Sequence, residues 1–274
     1  MKILPSLRSF RQGWRRGLVW TVLPLLFLSA CHIVPDTGRR SLSLIPLREE
    51  IALGASSFEE IKEKETISTD REKREMVERV GRRIAAVAER DMPGLDWEFV
   101  LFEDDAVNAF ALPGGKVGVY TGLFRVARTE DELAVVMGHE VAHVTARHGN
   151  ERMSQYLLVS AGGIALDTAL RRQEAETRQM ALMAYGAGAT FGYILPFSRS
   201  AESEADELGL YYSARAGYDP REAPRFWERM AELSQGGSPP EWLSTHPSHG
   251  TRVRDLERIM PQAMRYYEEA RGQR

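Results

Sequence analysis

Residues 137–144, MGHEVAHV, place two histidines four positions apart, with a glutamate directly after the first. On a helix, positions i and i+4 lie about 40° apart around the axis, so His139 and His143 present their rings to the same side. Two imidazoles in this arrangement can ligate one Zn²⁺ ion. Glu140 lies about 100° round from His139, where it avoids the ion but reaches a water beside it. The pattern predicts a hydrolytic zinc site with Glu140 as general base.

A catalytic zinc site needs a third protein ligand. The metzincin pattern is excluded because the third and sixth positions after His143 hold Ala146 and Gly149 in place of Gly and His. His148 misses that pattern by one residue. On a helix that runs through residues 130–148, it lies about 140° from His143 and points away from the ion. An acidic residue later in the chain is therefore expected as the third ligand.

The segment SRSAESEADELG, residues 198–209, supplies acidic candidates. Glu202 and Asp206 are four positions apart and share one helical face, whereas Glu204 points about 160° away from Asp206 and is expected in solvent. One of the pair can ligate zinc while the other accepts the N–H of a liganding histidine. Spacing does not say which does which, and a solvated acidic helix start is the alternative.

The elements that must position these residues follow from periodicity and turn signals. Thr129 and Glu132 form a capping box at the start of the motif helix, expected over residues 130–148. Ahead of it, residues 97–104 predict one strand, and residues 108–124 predict two strands joined by a Pro-Gly-Gly turn.

A later apolar stretch, ALMAYGAGATFGYILPF, occupies residues 181–197. It is long enough to touch a membrane, but its glycine and proline interruptions favour a close-packed internal helix.

The N-terminal region differs in composition from the rest of the chain. Residues 1–16 carry Lys and Arg without an acid, and an apolar run follows that is too short for a comfortable membrane span. Residues 1–30 are therefore predicted to be an export signal.

Cys31, the only cysteine, follows that run directly. LSAC, residues 28–31, resembles the lipobox of bacterial lipoproteins, which implies a lipid on Cys31. An ordinary signal peptide with a stray cysteine is the alternative. By the same resemblance, His32 in place of Asp favours the outer membrane. Residues 31–45 are polar and aperiodic and are expected to be a lipidated tether, followed by one domain over residues 46–274.

Four ordered motifs together resemble the M48 family of zinc metallopeptidases, the Ste24- and Oma1-like gluzincins, in a bacterial lipoprotein form. The motifs are NAFALPGGKVGVYTGLF, HEVAH, SRSAESEAD and the THP of residues 245–247. The resemblance covers about residues 45–270. It implies an α+β, mainly helical fold: a zincin-like metallopeptidase domain with a small β-sheet and an HExxH active-site helix.

The resemblance also settles what spacing leaves open about the metal. It implies one Zn²⁺ per chain, held by His139, His143 and Glu202. Asp206 is then the acid that orients a liganding histidine.

Two further residues receive catalytic roles from the resemblance alone. His246 is expected near the zinc, where it either stabilises the oxyanion or fills the open coordination position in a latent form. Arg252 is expected to play a similar electrostatic role. Without the resemblance, a loop histidine before a proline and a solvated helix start are the favoured interpretations of His246 and Arg252.

The strand that begins at residue 108 suggests how a substrate binds. An extended polypeptide can add to an exposed sheet edge through backbone hydrogen bonds, with little sequence preference. Asn108, Ala109, Phe110 and Ala111 are then the substrate-binding residues. A plain core hairpin is the alternative.

The expected function is that of a zinc endopeptidase anchored by lipid in the outer membrane and facing the periplasm. It would hydrolyse unfolded or misassembled envelope proteins as quality control. The alternative is a periplasmic chaperone or assembly scaffold for outer-membrane proteins, with a latent or structural zinc site. Intact Glu140 favours the enzyme, since a structural site needs no general base. The formal net charge of -3 argues against nucleic acid as a partner.

Overall fold

The computed structural model of the chain describes residues 31–235, 240–246 and 251–272. The predicted export signal lies outside them. The helices are α1 (Leu47–Lys64), α2 (Arg71–Ala88), α3 (Glu130–Thr145), α4 (His148–Ala169), α5 (Ala175–Ala189), α6 (Leu195–Arg215), α7 (Glu222–Gln235), α8 (Glu241–Thr245) and α9 (Arg252–Gly272). The strands are β1 (Cys31–Ile33), β2 (Arg40–Leu42), β3 (Glu98–Phe102), β4 (Ala109–Leu112) and β5 (Lys116–Tyr120). The expected mainly helical α+β fold is confirmed.

A three-stranded sheet lies beside the motif helix, in the order β3-β5-β4. β5 pairs parallel with β3 and antiparallel with β4. The predicted Pro-Gly-Gly turn joins β4 to β5, where Gly114 and Gly115 take φ values of +88° and +84° that favour glycine. An isolated bridge from Ile67 to Phe102 extends the sheet beyond β3. In the described part of the chain, β4 forms the opposite edge of the sheet.

Helix α3 begins as the sequence predicts but ends earlier. The Thr129 hydroxyl accepts the N–H of Glu132 at 3.2 Å, and the Glu132 carboxylate reaches back to the N–H of Arg128 at 2.6 Å. The expected continuation to residue 148 is wrong, because Arg147 takes a left-handed φ of 56°. The chain turns there, and α4 starts in a new direction at His148.

Helices α3 and α6 approach closely because glycines face each other at their contact. A Cβ carbon on Gly138 would lie 2.4 Å from the hydroxyl of Ser213 and 2.5 Å from the carbonyl oxygen of Gly209. A Cβ carbon on Gly209 would lie 2.6 Å from the backbone nitrogen of His139. This contact brings the acidic segment of α6 against the histidines of α3.

The expected tether over residues 31–45 is instead a folded hairpin in its first part. β1 pairs antiparallel with β2, with His32 opposite Ser41. Ser41 is buried and donates to the carboxylate of Glu151 on α4 at 2.7 Å. We call residues 31–42 the N-terminal hairpin. Lipidation of Cys31, which is exposed at its start, stays a prediction.

The stretch expected to be a close-packed internal helix lies on the surface. Neither α5 nor the following π-helical turn, Thr190–Ile194, contains a buried residue. Large apolar side chains such as Met183 and Phe191 are exposed. Among the described residues, the run Ala175–Arg215 is the one helix whose length and composition suit a membrane span, and its apolar window is unburied. The expectation of internal packing is wrong.

Candidate metal centre

Three predicted ligands, His139, His143 and Glu202, converge where α3 meets α6. The Nε2 atoms of the two histidines lie 3.0 Å apart. Glu202 places Oε2 at 3.3 Å from His139 Nε2 and Oε1 at 3.5 Å from His143 Nε2. The side chain of Glu202 is 1% exposed, so its carboxylate lies wholly inside the protein. The third predicted ligand therefore faces the two histidines directly.

A hydrogen bond on the outer side of the His139 ring fixes which of its nitrogen atoms faces the centre. His139 Nδ1 lies 2.9 Å from Oδ1 of Asp206, and a carboxylate accepts, so Nδ1 carries the proton. In the neutral ring, Nε2 of His139 then offers a lone pair to the centre. The prediction that Asp206 contacts a liganding histidine agrees with this geometry, and the residue concerned is His139.

The arrangement fits zinc. Tetrahedral zinc with ligand distances of about 2.0–2.1 Å separates its ligand atoms by about 3.3 Å, and the closest atoms of His139, His143 and Glu202 are separated by 3.0–3.5 Å. Ligand atoms of His139, His143, Glu202 and His246 all lie within 4.8 Å of one another. Facing imidazole lone pairs are stabilised by a cation, and two histidines with one carboxylate form a known catalytic zinc set.

The protonation states suit metal binding. Burial lowers the pKa of His143 well below its usual value, so the ring is neutral, as a ligand must be. Burial opposes ionisation of Glu202, but His143 and hydrogen bonds with His139 and His246 hold its pKa well below the usual range. Burial also disfavours charge on His139, yet hydrogen bonds to Asp206 and Glu202 raise its pKa to about 9. A metal ion bound at Nε2 of His139 would need the neutral form of this ring.

Glu140 lies beside the cluster without joining it. Its side chain is 2% exposed, and its Oε1 accepts the indole N–H of Trp242 at 2.9 Å. Sequence reasoning missed Trp242, because no helix was predicted around it; in the structure it lies on α8, four positions before His246. Its indole stacks on the His246 ring, with centroids 4.7 Å apart. Trp242 thus orients both the predicted base and the histidine opposite it.

His246 lies inside the ligand cluster. Its Nδ1 is 3.2 Å from Nε2 of His139 and 3.3 Å from Oε2 of Glu202. Its Nε2 is 3.5 Å from Oε1 of Glu140. The ring therefore occupies the side of the centre where a fourth ligand would bind.

Arg252 touches the carboxylates of α6. Its Nε donates to Oδ2 of Asp206 at 2.6 Å, and its Nη2 lies 3.3 Å from Oε2 of Glu202. The guanidinium lies 4.0 Å from the centre of the Trp227 ring, a residue that sequence reasoning also missed. These contacts neutralise the two acids, and the expected action of Arg252 on an oxyanion stays a prediction.

Two residues that sequence reasoning set aside lie at the centre's outer side. Glu204, expected in solvent, is buried, and His148, expected to point away, contacts His143. Both errors have long-range causes. The N-terminal hairpin covers Glu204, and the turn at Arg147 brings His148 back towards the site.

A groove of about 410 Å³ opens onto the centre. Its lining includes Glu140, His143 and His246, together with Phe110 and Ala111 of β4. Two of the four predicted substrate-binding residues, Phe110 and Ala111, therefore border the same groove as the predicted base, whereas Asn108 and Ala109 are buried and lie outside its lining. Phe110 also packs in an aromatic cluster with Phe58, Phe102 and Tyr120, so it serves the core as well.

Comparisons with known proteins match the chain to a peptidase family and to metalloendopeptidases. The sequence profile described as "Peptidase family M48" matches residues 71–260. The chain is 33% identical over 263 residues to "Mitochondrial metalloendopeptidase OMA1" of Schizosaccharomyces pombe, covering 94% of this chain and 75% of the relative. It is 32% identical over 285 residues to "Metalloendopeptidase OMA1, mitochondrial" of Homo sapiens, covering 97% and 51%.

A bacterial relative is similar to a comparable degree. The chain is 34% identical over 226 residues to "Putative beta-barrel assembly-enhancing protease" of Vibrio cholerae, covering 81% of this chain and 46% of the relative. The chain thus spans about half the length of the human and Vibrio relatives.

Proposed function

The chain belongs to peptidase family M48 and is a zinc metalloendopeptidase, and from this premise we propose that it hydrolyses unfolded or misassembled proteins of the cell envelope. The observation that carries the proposal is the position of Glu140. It lies beside the converging ligand atoms of His139, His143 and Glu202, in the lining of a groove that one edge of the sheet borders.

Glu140 is the general base of the proposed reaction and then the proton donor to the leaving amine. His139, His143 and Glu202 would hold the zinc, which would supply Lewis acidity towards a water and the scissile carbonyl. Glu140 takes the proton of the attacking water and passes it to the leaving amine as the C–N bond breaks. The N–H of Trp242 holds Oε1 of Glu140, so we assign proton transfer to Oε2.

His246 gives the site a means of control, because its ring lies on the open side of the metal centre. Nδ1 of His246 lies on the side of the centre where a fourth ligand would bind. We therefore propose that the described conformation is a resting form. Catalysis then requires the ring to withdraw, after which its N–H is available to an oxyanion. This position of His246 also favours the second candidate function, a scaffold whose zinc site is latent.

We propose that β4 binds the substrate backbone. Asn108 O accepts from Tyr120 N at 3.1 Å, so the antiparallel alternation turns the N–H and C=O of Phe110 towards β5 and those of Ala111 outward. An extended polypeptide can pair with the outward groups and cross the groove beside Glu140. Recognition through backbone groups selects unfolded segments with little regard to sequence.

Ala111→Pro should weaken substrate binding without removing zinc. Proline deletes the outward N–H, and an edge strand tolerates that loss. Loss of one backbone hydrogen bond is worth about 1 kcal/mol, so KM for an unfolded protein should rise about five- to ten-fold. Steady-state cleavage measures this, with Ala111→Gly as the control that keeps the N–H. An unchanged KM would exclude β4 as the substrate strand.

We also propose that the chain is an outer-membrane lipoprotein facing the periplasm, as LSAC and the bacterial relative's name together support. Cys31→Ser should abolish incorporation of labelled palmitate in a Gram-negative host and move the full-length chain from the membrane to the soluble fraction. Cell fractionation with immunoblotting measures both. Equal palmitate labelling of the variant would contradict lipidation at this residue.

A further inference from the structure

His148 links the metal centre to the N-terminal hairpin. Its ring is 1% exposed and lies between two partners. Its Nδ1 is 2.9 Å from Nδ1 of His143, and its Nε2 is 2.9 Å from Oε2 of Glu204. No other described contact of His143 Nδ1 competes with this one.

One set of tautomers satisfies every contact in this chain of groups. Glu204 is a carboxylate and accepts, so His148 carries its proton on Nε2 and offers a lone pair at Nδ1. His143 must then donate from Nδ1, which leaves its Nε2 free to bind metal. This is the tautomer that a zinc ligand needs.

Residues of the N-terminal hairpin hold the carboxylate of Glu204, which is the member of this hydrogen-bonded series farthest from the metal centre. Arg39 Nε donates to Oε2 of Glu204 at 2.8 Å, and the Thr37 hydroxyl donates to Oε1 at 2.5 Å. The same guanidinium makes two parallel bonds to Glu151 on α4, at 2.9 and 2.8 Å. Arg39 therefore ties α4 and α6 together at the level of His148.

The two histidine ligands have matching supports. His139 donates to Asp206, which Arg252 holds. His143 reaches Glu204 through one additional ring, and Arg39 holds Glu204. In each branch an imidazole N–H is oriented by a carboxylate that is itself fixed by an arginine. The branch through His148 differs because its arginine comes from the segment next to Cys31.

We propose that His148 and Glu204, held by Arg39 of the N-terminal hairpin, are positioning residues that fix the ring of His143 for zinc. The inference rests on the proposed function, because it takes His143 as a ligand. Outer partners of this kind typically change metal affinity by about 10- to 100-fold. A network that only stabilised the fold would change the unfolding temperature and leave zinc affinity as it is.

The test is zinc affinity of the full-length chain, measured by competition with a chromogenic chelator. Glu204→Gln keeps the shape of the side chain, and His148→Ala removes the ring. Both should weaken zinc binding about 10- to 100-fold. His148→Gln keeps one acceptor and one donor and should recover part of that loss.

Asp36→Asn is the matched control. Asp36 anchors the same hairpin to Arg90 and Arg215, at 3.0 and 2.6 Å, without touching the His148 branch. It should lower the thermal unfolding temperature of the zinc-free chain but leave zinc affinity unchanged. Wild-type affinity in both Glu204→Gln and His148→Ala would overturn the proposal, as would an equal loss in Asp36→Asn.

His143→Ala separates failure of this inference from failure of the proposed function. It should lose zinc more severely than any variant of the His148 branch. Wild-type affinity in His143→Ala would refute the proposed ligand set itself. Loss of zinc in His143→Ala, combined with wild-type affinity in the branch variants, would refute only the positioning role.

Discussion

Glu140→Gln is expected to abolish peptide cleavage while zinc stays bound. The carboxylate lies outside the cluster of potential metal ligands, so its loss removes the base and not the metal. General acid–base catalysis contributes about 10²- to 10⁴-fold, and cleavage should fall by at least that factor. Glutamine is isosteric, and its carbonyl oxygen can still accept the N–H of Trp242. The measurement is cleavage of an unfolded protein by the purified chain, with zinc content determined in parallel.

The same pair of measurements decides between peptidase and scaffold. Cleavage by the wild type alone, with equal zinc in both proteins, is the expected result. Zinc in both proteins and cleavage in neither would contradict the peptidase and favour a latent or structural site. In that case His246→Ala becomes the informative second variant, because it frees the side of the centre that the ring occupies.

The ligand cluster was predictable because its determinants are local. Helical geometry alone puts His139 with His143, and Glu202 with Asp206, on common faces. The structure brings these faces together at the Gly138–Gly209 contact. The spacing could not order the two acids, but the resemblance did, and the structure agrees by placing Asp206 on the outer nitrogen of His139.

The outer contacts were unpredictable because they depend on chain direction and on distant segments. A left-handed residue at Arg147 ends α3 early, and a non-glycine residue gives no sequence signal for that conformation. The angle computed for His148 assumed an unbroken helix and was therefore wrong. Glu204 is buried by partners more than 160 residues away in sequence, in a segment whose composition is typical of a tether.

The exposed α5 helix is another element whose surroundings could not be predicted from the sequence. Glycine and alanine in residues 181–197 are typical of close helix packing, and the sequence favoured an internal position. In the structure, the π-helical turn Thr190–Ile194 joins α5 to α6 in one continuous helical run. That run projects the apolar stretch away from the core, so composition predicted the helix but not its partner.

Glu202→Ala is expected to lose zinc almost completely, because it removes one of three ligands and leaves two histidines. The loss should exceed the roughly 10- to 100-fold effect of removing an outer partner. It also deprives Arg252 of one of its two carboxylate partners, so a buried cation becomes less well compensated. The expected order of zinc affinity is wild type, then Glu204→Gln, then Glu202→Ala, as measured by chelator competition.

Glu207→Ala is the matched control for this order, since it removes the same charge from the same helix. Its carboxylate contacts the hydroxyl of Tyr211 at 3.1 Å and lies outside the ligand cluster, so zinc affinity should not change. A larger loss in Glu204→Gln than in Glu202→Ala would reverse the ligand assignment within α6. The three glutamates lie within six residues of one helix, so their different effects would report the direction in which each side chain points, not the charge that each carries.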